Sequence, residues 1–300
     1  MQTEPTVTWK NLRYLADAYE QSQRIRIQNG ERLRAVLQGR DETWDVEFDE
    51  NIDADEVIKS IEKGDGIGPI PIIGMTYRRH WEMEREYFRE MGIALNSHPV
   101  WPWLEQIKGM GPTLSCKILS RLDPEKADTV SSYWAYCGLA TVPGVEYKCE
   151  LCGIVGVWPE SFKMTGKHKA LGKTKQCKGS LVAINVGNGT RAAQPKPGRG
   201  EKASYDQYAK KICYLIGMSF LKSKGKYSEI YSKHRNRLDR ERPGWPDGRK
   251  HYTALRIMEK LFLSHLWLKT REALDMPVTE PYANGMLGHN GYIDPQEMVG

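Results

Sequence analysis

The chain has 300 residues, with 44 Lys and Arg against 38 Asp and Glu for a net charge of +6, and 40% of its residues are hydrophobic. That length allows a core of ordinary size and two or three modules, and no apolar run approaches the length of a membrane span. The first ten residues are polar and lack a signal-peptide core, so the expectation is a cytoplasmic protein whose six cysteines are reduced thiols or metal ligands rather than disulfides. Lys and Arg concentrate after residue 160, whereas residues 41–65 are mostly acidic. This asymmetry points to a polyanionic partner and away from uniform coating of DNA.

Residues 9–39 carry Trp9, Leu12, Ala16 and Tyr19 on one helical stripe and Leu33, Val36 and Leu37 further on, with a polar interruption at 21–28. One long helix stopped at Gly39 is predicted. Residues 39–55 read as an acidic loop with an extended piece at 44–48, and 54–63 as a short helix. The stretch 64–71 holds three glycines and two prolines, too many for regular structure. It lacks the Gly-Lys-Ser/Thr ending of a phosphate loop, and no strand precedes it. Residues 73–91 are again helical, with Ile73, Tyr77, Trp81, Phe88 and Met91 as the inward stripe and Gly92 as the stop. The two long helices either form an antiparallel coiled hairpin or pack separately on the rest of the protein.

The centre of the chain is Leu104-Glu-Gln-Ile-Lys-Gly-Met-Gly-Pro-Thr-Leu-Ser115, which reads as helix, tight hairpin, helix. Glycines at 109 and 111 permit positive φ and leave amides uncovered, and Pro112 suits the first position of the next helix. Bare amides at a helix start attract anions. Lys108, Gly109, Met110, Gly111, Thr113 and Lys117 are therefore the candidate contacts to a nucleic-acid backbone, and Ser115 occupies the small packing position of a helix-hairpin-helix. The competing reading is an ordinary turn between packed helices. A short helix follows before Gly138, capped by Asp128 or Thr129, and Cys116, Cys137 and Cys213 read as core thiols.

Cys149-Glu-Leu-Cys152 presents two thiolates to one face of a tetrahedral ion, and His168 and Cys177 follow in a basic, glycine-rich stretch. These four residues are the candidate ligands of a structural zinc site, with no position left for water. A redox Cys-x-x-Cys and unligated thiols are the alternatives. Residues 188–202 cannot bury an apolar face and read as an exposed, mobile arm. Its Arg191, Lys196, Arg199 and Lys202 can track phosphates, or simply keep a linker solvated. Three helices complete the chain, at 204–222, 227–240 and 250–274, the last two separated by a turn at 243–248 and followed by a tail of little pattern. His251 and His265 read as partly buried polar residues.

The succession Ile107-Lys-Gly-Met-Gly-Pro-Thr, Tyr133-Trp-Ala-Tyr-Cys-Gly-Leu139, Lys210-Lys-Ile-Cys-Tyr-Leu-Ile-Gly217 and Leu261-Phe-Leu-Ser-His-Leu-Trp267 resembles the C-terminal domain of the insertion-sequence transposases related to the Piv DNA invertase. Members of that family join a ribonuclease H-like domain bearing a DEDD metal-binding tetrad to this domain, which carries a nucleophilic serine and is guided by a structured RNA. The sequence departs from the pattern twice. Residues 1–90 lack the alternating strands of a ribonuclease H-like sheet, and Thr141-Val-Pro-Gly-Val stands where a Ser-Gly context is expected, leaving Ser180 as the nearest serine in an unmatched context.

The expectation is a mainly α protein: an N-terminal helical region at 1–97, a helix-hairpin-helix module at 98–148, a zinc knuckle and basic arm at 149–203, and C-terminal helices at 204–300. Its expected function is DNA binding of the transposase or recombinase type, on duplex or junction, without an assigned catalytic residue. The alternatives are an active serine recombinase and an RNA-binding scaffold, and homo-oligomerisation is compatible with each.

Overall fold

The computed structural model describes residues 8–41, 52–161, 168–169, 176–185, 190–195, 197, 199–279 and 292–300. The extended piece expected at 44–48, the side chain of Trp9, Lys196 and most of the tail expected after Pro277 lie outside them. Mainly α architecture holds, with nine α-helices and six short strands among the described residues. No described helix is long and apolar enough to cross a membrane. The chain divides into two compact units, one of residues 1–98 with 115–120 and one of residues 99–114 with 121–300.

In the first unit, α1 (Leu12–Leu37) and α3 (Pro71–Asn96) pack along each other, and the short α2 (Ala54–Lys63) packs against both. Asp53 caps α2 by accepting the amides of Asp55 and Glu56, and Gly64 closes it at φ +91°. Leu33, Val36 and Leu37 of α1 bury against Ile58 and Ile61 of α2 and Ile73 and Tyr77 of α3. Where α1 turns polar, Arg26 pairs with Glu84 at 2.6 Å and Gln23 donates to the same carboxylate. Glu84, and not the exposed Phe88, thus takes the inward place on α3. The helix also continues past Gly92 to Asn96, because a lone glycine costs only about 1 kcal/mol in a helix held by its neighbours.

The second unit holds α4 (Trp101–Leu104), the start of α5 (Pro112–Leu119), α6 (Val130–Tyr136), α7 (Gln207–Ser223), α8 (Lys226–Glu241) and α9 (Asp247–Ala273). Asp206 caps α7 by accepting the Ala209 amide. Thr129 occupies the position before α6 but makes no capping bond to the backbone. Phe220, Tyr227 and Phe262 join α7, α8 and α9 in an aromatic core, Phe220 and Tyr227 stacked at 4.6 Å and Phe262 edge-on to both. Of the three expected core thiols, Cys137 and Cys213 are buried in this unit and Cys116 is buried in the first.

A sheet absent from the sequence reading lies between α6 and α7 in the chain. Strand β1 (Thr141–Cys149) pairs antiparallel with β2 (Val155–Pro159), with β5 (Leu181–Asn185) and, at its start, with β6 (Arg191–Ala193). A separate ribbon joins β3 (His168–Lys169) to β4 (Gln176–Cys177). The expected mobile arm is therefore corrected at its beginning, where Arg191–Ala193 is an edge strand with Ala192 buried.

Candidate metal centre and nucleic-acid interface

The candidate metal centre is built by two reversals of the chain. After β1, Gly153 takes φ +71° and donates to the Cys149 carbonyl at 3.0 Å, which folds residues 149–153 into a tight knuckle. The amides of Leu151 and Cys152 point inward to the Cys149 sulfur at 3.4 Å. On the other side, the β3–β4 ladder places His168 directly opposite Cys177, so the irregular spacing of these two residues becomes one rung of a ribbon. The Gly179 amide donates to the Cys177 sulfur at 3.3 Å.

Between these reversals, Cys149 Sγ and Cys177 Sγ lie 3.9 Å apart and Cys152 Sγ lies 3.3 Å from His168 Nε2. All four ligand atoms fall within 4.8 Å of one another. Metal–ligand lengths of about 2.3 Å to sulfur and 2.0–2.1 Å to nitrogen give tetrahedral edges of about 3.8 Å and 3.6 Å, so the four side chains can hold a metal ion with little movement. Burial opposes ionisation of Cys149, but the amides of Cys152 and Leu151 outweigh it and hold its thiol below the usual range. At Cys177 the Gly179 amide favours the thiolate, while burial and the neighbouring Cys152 and Cys149 outweigh it and leave this thiol high. A Cβ on Gly179 would stand 2.6 Å from the Cys149 sulfur and 2.5 Å from Leu151 Cβ. Glycine is therefore required for the two reversals to meet.

At the hairpin, Gly109 adopts φ +102° and packs against Phe220 and Ser219 of α7. Ser219 and Ser223 donate to the carbonyls of Gly109 and Lys108 at 2.7 and 3.1 Å. Lys108 and Gly111 are exposed, Thr113 is half-buried, and among the described residues the amides of Gly109 and Gly111 make no hydrogen bond. Two of the expected contacts are corrected. Met110 is buried and its amide donates to the Ile107 carbonyl. Lys117 is only 5% exposed, because it pairs with Glu20 at 3.0 Å above the Tyr19 ring inside the first unit. The first helix of the hairpin is also a single turn, so Ile107 is buried from the connecting loop. Gly111 has an ordinary φ and open space around it, so only Gly109 needs to be glycine.

In the expected arm, Arg191 turns back to bond Thr141 across the β1–β6 ladder, and Arg199 and Lys202 are exposed. Ser180 is exposed beside the metal knuckle and its carbonyl accepts the Glu150 amide. Among the described residues, no other group of three or more His, Cys, Asp and Glu side chains is placed to hold a metal.

A cationic face on α9 was not among the expected sites. Arg249, Arg256 and Lys260 recur at intervals of seven and four, which sets them within one side of a helix. All three are half-buried, and among the described residues none forms an ion pair or side-chain hydrogen bond. Arg249 lies over the Trp245 ring at 4.0 Å and Lys260 over Trp134 at 3.8 Å. Burial, reinforced by Arg256 and Arg242, lowers Arg249 to about 10 despite the opposing pull of Glu146. Burial together with Arg256 and Arg191 lowers Lys260 to about 8. Burial likewise lowers Arg256, against the nearby Glu259. The i, i+7, i+11 spacing of Arg and Lys was the available signal, and it is indistinguishable in sequence from a solvated face.

No family model, characterised protein or solved structure matches this chain.

Proposed function

We propose that the chain is a nucleic-acid-binding protein of the transposase or recombinase type that grips phosphates through the α9 face, assisted by the hairpin at 108–113 and the exposed Arg199 and Lys202. The observation that carries this reading is the set of three half-buried, unpaired cations on α9. Holding like charges together in a desolvated site is unfavourable unless an anion completes it. A phosphate backbone supplies anions at regular spacing and releases counterions on binding. Indole rings lie beneath two of the cations, an arrangement that favours the charged forms.

In this reading the metal is zinc, with Cys149, Cys152, His168 and Cys177 as ligands. Zinc bound by four protein groups pins a loop and leaves no site for water. The chain's own contribution is to bring the knuckle at 149–153 and the β3–β4 ribbon together. The contacts are to backbone and shape, so weak sequence preference follows. Fluorescence anisotropy with a duplex, a four-way junction, a single strand and an RNA hairpin tests the reading. Binding to at least one of them that weakens steeply between about 50 and 200 mM salt is expected; no binding to any at the lower salt overturns it.

A further inference from the structure

Beside the cationic face, a cavity of about 840 Å³ opens among α7, α9 and the segment around Gly138. Its walls include Tyr205, Lys210, Tyr214, Tyr252, Arg256 and Glu259. The volume falls within the roughly 300–1,000 Å³ of small-ligand sites. Glu259 is 6% exposed, yet among the described residues its carboxylate accepts no hydrogen bond and closes no ion pair. Room for it is made by Gly217 of α7, where a Cβ would come within 3.0 Å of Glu259 Oε1. Arg256 and Lys210 are the cations whose fields reach the carboxylate. Lys210 is itself held over the Tyr205 ring at 4.2 Å. Tyr214 and Tyr252, 40% and 60% exposed, offer ring faces at the rim.

A ligand for this cavity must bring an anion for the two cations, hydrogen-bond donors for the buried carboxylate, and a flat face for the tyrosines. A nucleotide has all three. Among the four bases only guanine carries two adjacent donors on one edge, and an ionised carboxylate accepts two bonds side by side. Adenine, cytosine and thymine set an acceptor next to each donor, which a carboxylate repels. We infer that the cavity receives one guanine nucleotide, its phosphate on Arg256 and Lys210, its base edge on Glu259 and its ring against Tyr214 or Tyr252. The inference builds on the nucleic-acid reading and adds a single-base specificity to it.

Calorimetry at about pH 8 with GMP, AMP, CMP, TMP and inorganic phosphate, and with short strands carrying one guanine or none, tests the assignment. GMP is expected to bind at least about tenfold tighter than the other mononucleotides and than phosphate. Glu259→Gln should bring the four nucleotides within about threefold of one another, and Tyr214→Ser with Tyr252→Ser, at the rim where folding is not at stake, should weaken all four equally. Stronger binding of guanine within a strand than of GMP assigns the site to the bound strand, and the reverse assigns it to a free nucleotide; both support the inference. Equal affinity for all bases, a guanine preference that survives Glu259→Gln, or phosphate binding as tight as GMP overturns it. Salt-dependent binding of strands with and without guanine at equal affinity removes the pocket assignment and leaves the phosphate-gripping reading intact.

Discussion

Replacing Glu259 by glutamine keeps the shape of a buried side chain and removes its ability to ionise. Burial raises this carboxyl from 4.5 to about 7, against the lowering influence of Arg256 and Lys210. The folded protein therefore keeps the proton over a range in which the unfolded chain has lost it. The contribution of this carboxyl to wild-type stability is fullest below about pH 4.5 and falls as pH rises through that window toward about 7. Each pKa unit is worth about 1.4 kcal/mol, so the loss on crossing the whole window is on the order of 3 kcal/mol. The glutamine variant escapes that loss. Urea unfolding should find Glu259→Gln within about 1 kcal/mol of wild type near pH 5 and more stable by up to about 3 kcal/mol near pH 8. A difference that does not change with pH, or a variant less stable near pH 8, would refute the assignment of an unpartnered buried carboxylate.

At the metal centre, Gly179→Ala forces the Cys149 sulfur and the Cys177 turn apart, and a competing chromophoric chelator should report metal affinity lower by about 10- to 100-fold, the range for disturbed ligand positioning; unchanged affinity would contradict the contact. Gly109→Ala should lower thermal stability by more than about 1 kcal/mol, since it combines φ +102° with crowding by Phe220, whereas Gly111→Ala should be neutral; equal effects would count against the described turn. Lys117→Met should destabilise the protein by about 2 kcal/mol through loss of the Glu20 pair and leave nucleic-acid affinity unchanged, and a drop in affinity without loss of stability would restore Lys117 as a contact.

Helices were legible because their punctuation is local. Gly39, Gly64 and Gly138 close and Pro112 opens, each at a position read from a few neighbouring residues, whereas the caps Asp53 and Asp206 and the opening Pro71 emerge only in the structure. The sheet was not legible because β1 turns Gly144, Glu146 and Cys149 inward, so its alternation does not register as apolar against polar. Strand β5 inverts the signal again, since its apolar Val182 and Ile184 are exposed. The candidate ligands were readable as chemistry: two cysteines separated by two residues are a signature of metal and redox sites, and the hairpin pairing His168 with Cys177 supplied the geometry that spacing lacked. Lys210, Arg256 and Glu259 looked like solvated charges. Only the absence of a side chain at Gly217, a helix away, shows why a carboxylate is buried there.

The most direct measurement compares the salt dependence of nucleic-acid binding by the wild-type chain and by a variant carrying Arg249→Gln, Arg256→Gln and Lys260→Gln. The triple substitution relieves the repulsion of Arg256 on its neighbours but also removes the attraction of Glu146 and Glu259 and two indole contacts, so thermal unfolding is measured alongside to separate binding from folding. If each cation holds a phosphate, the slope of log affinity against log salt on duplex DNA becomes shallower by about two to three, at roughly 0.9 per contact. A slope identical to that of the wild type, in a variant that remains folded, would show that the α9 face does not meet the nucleic acid.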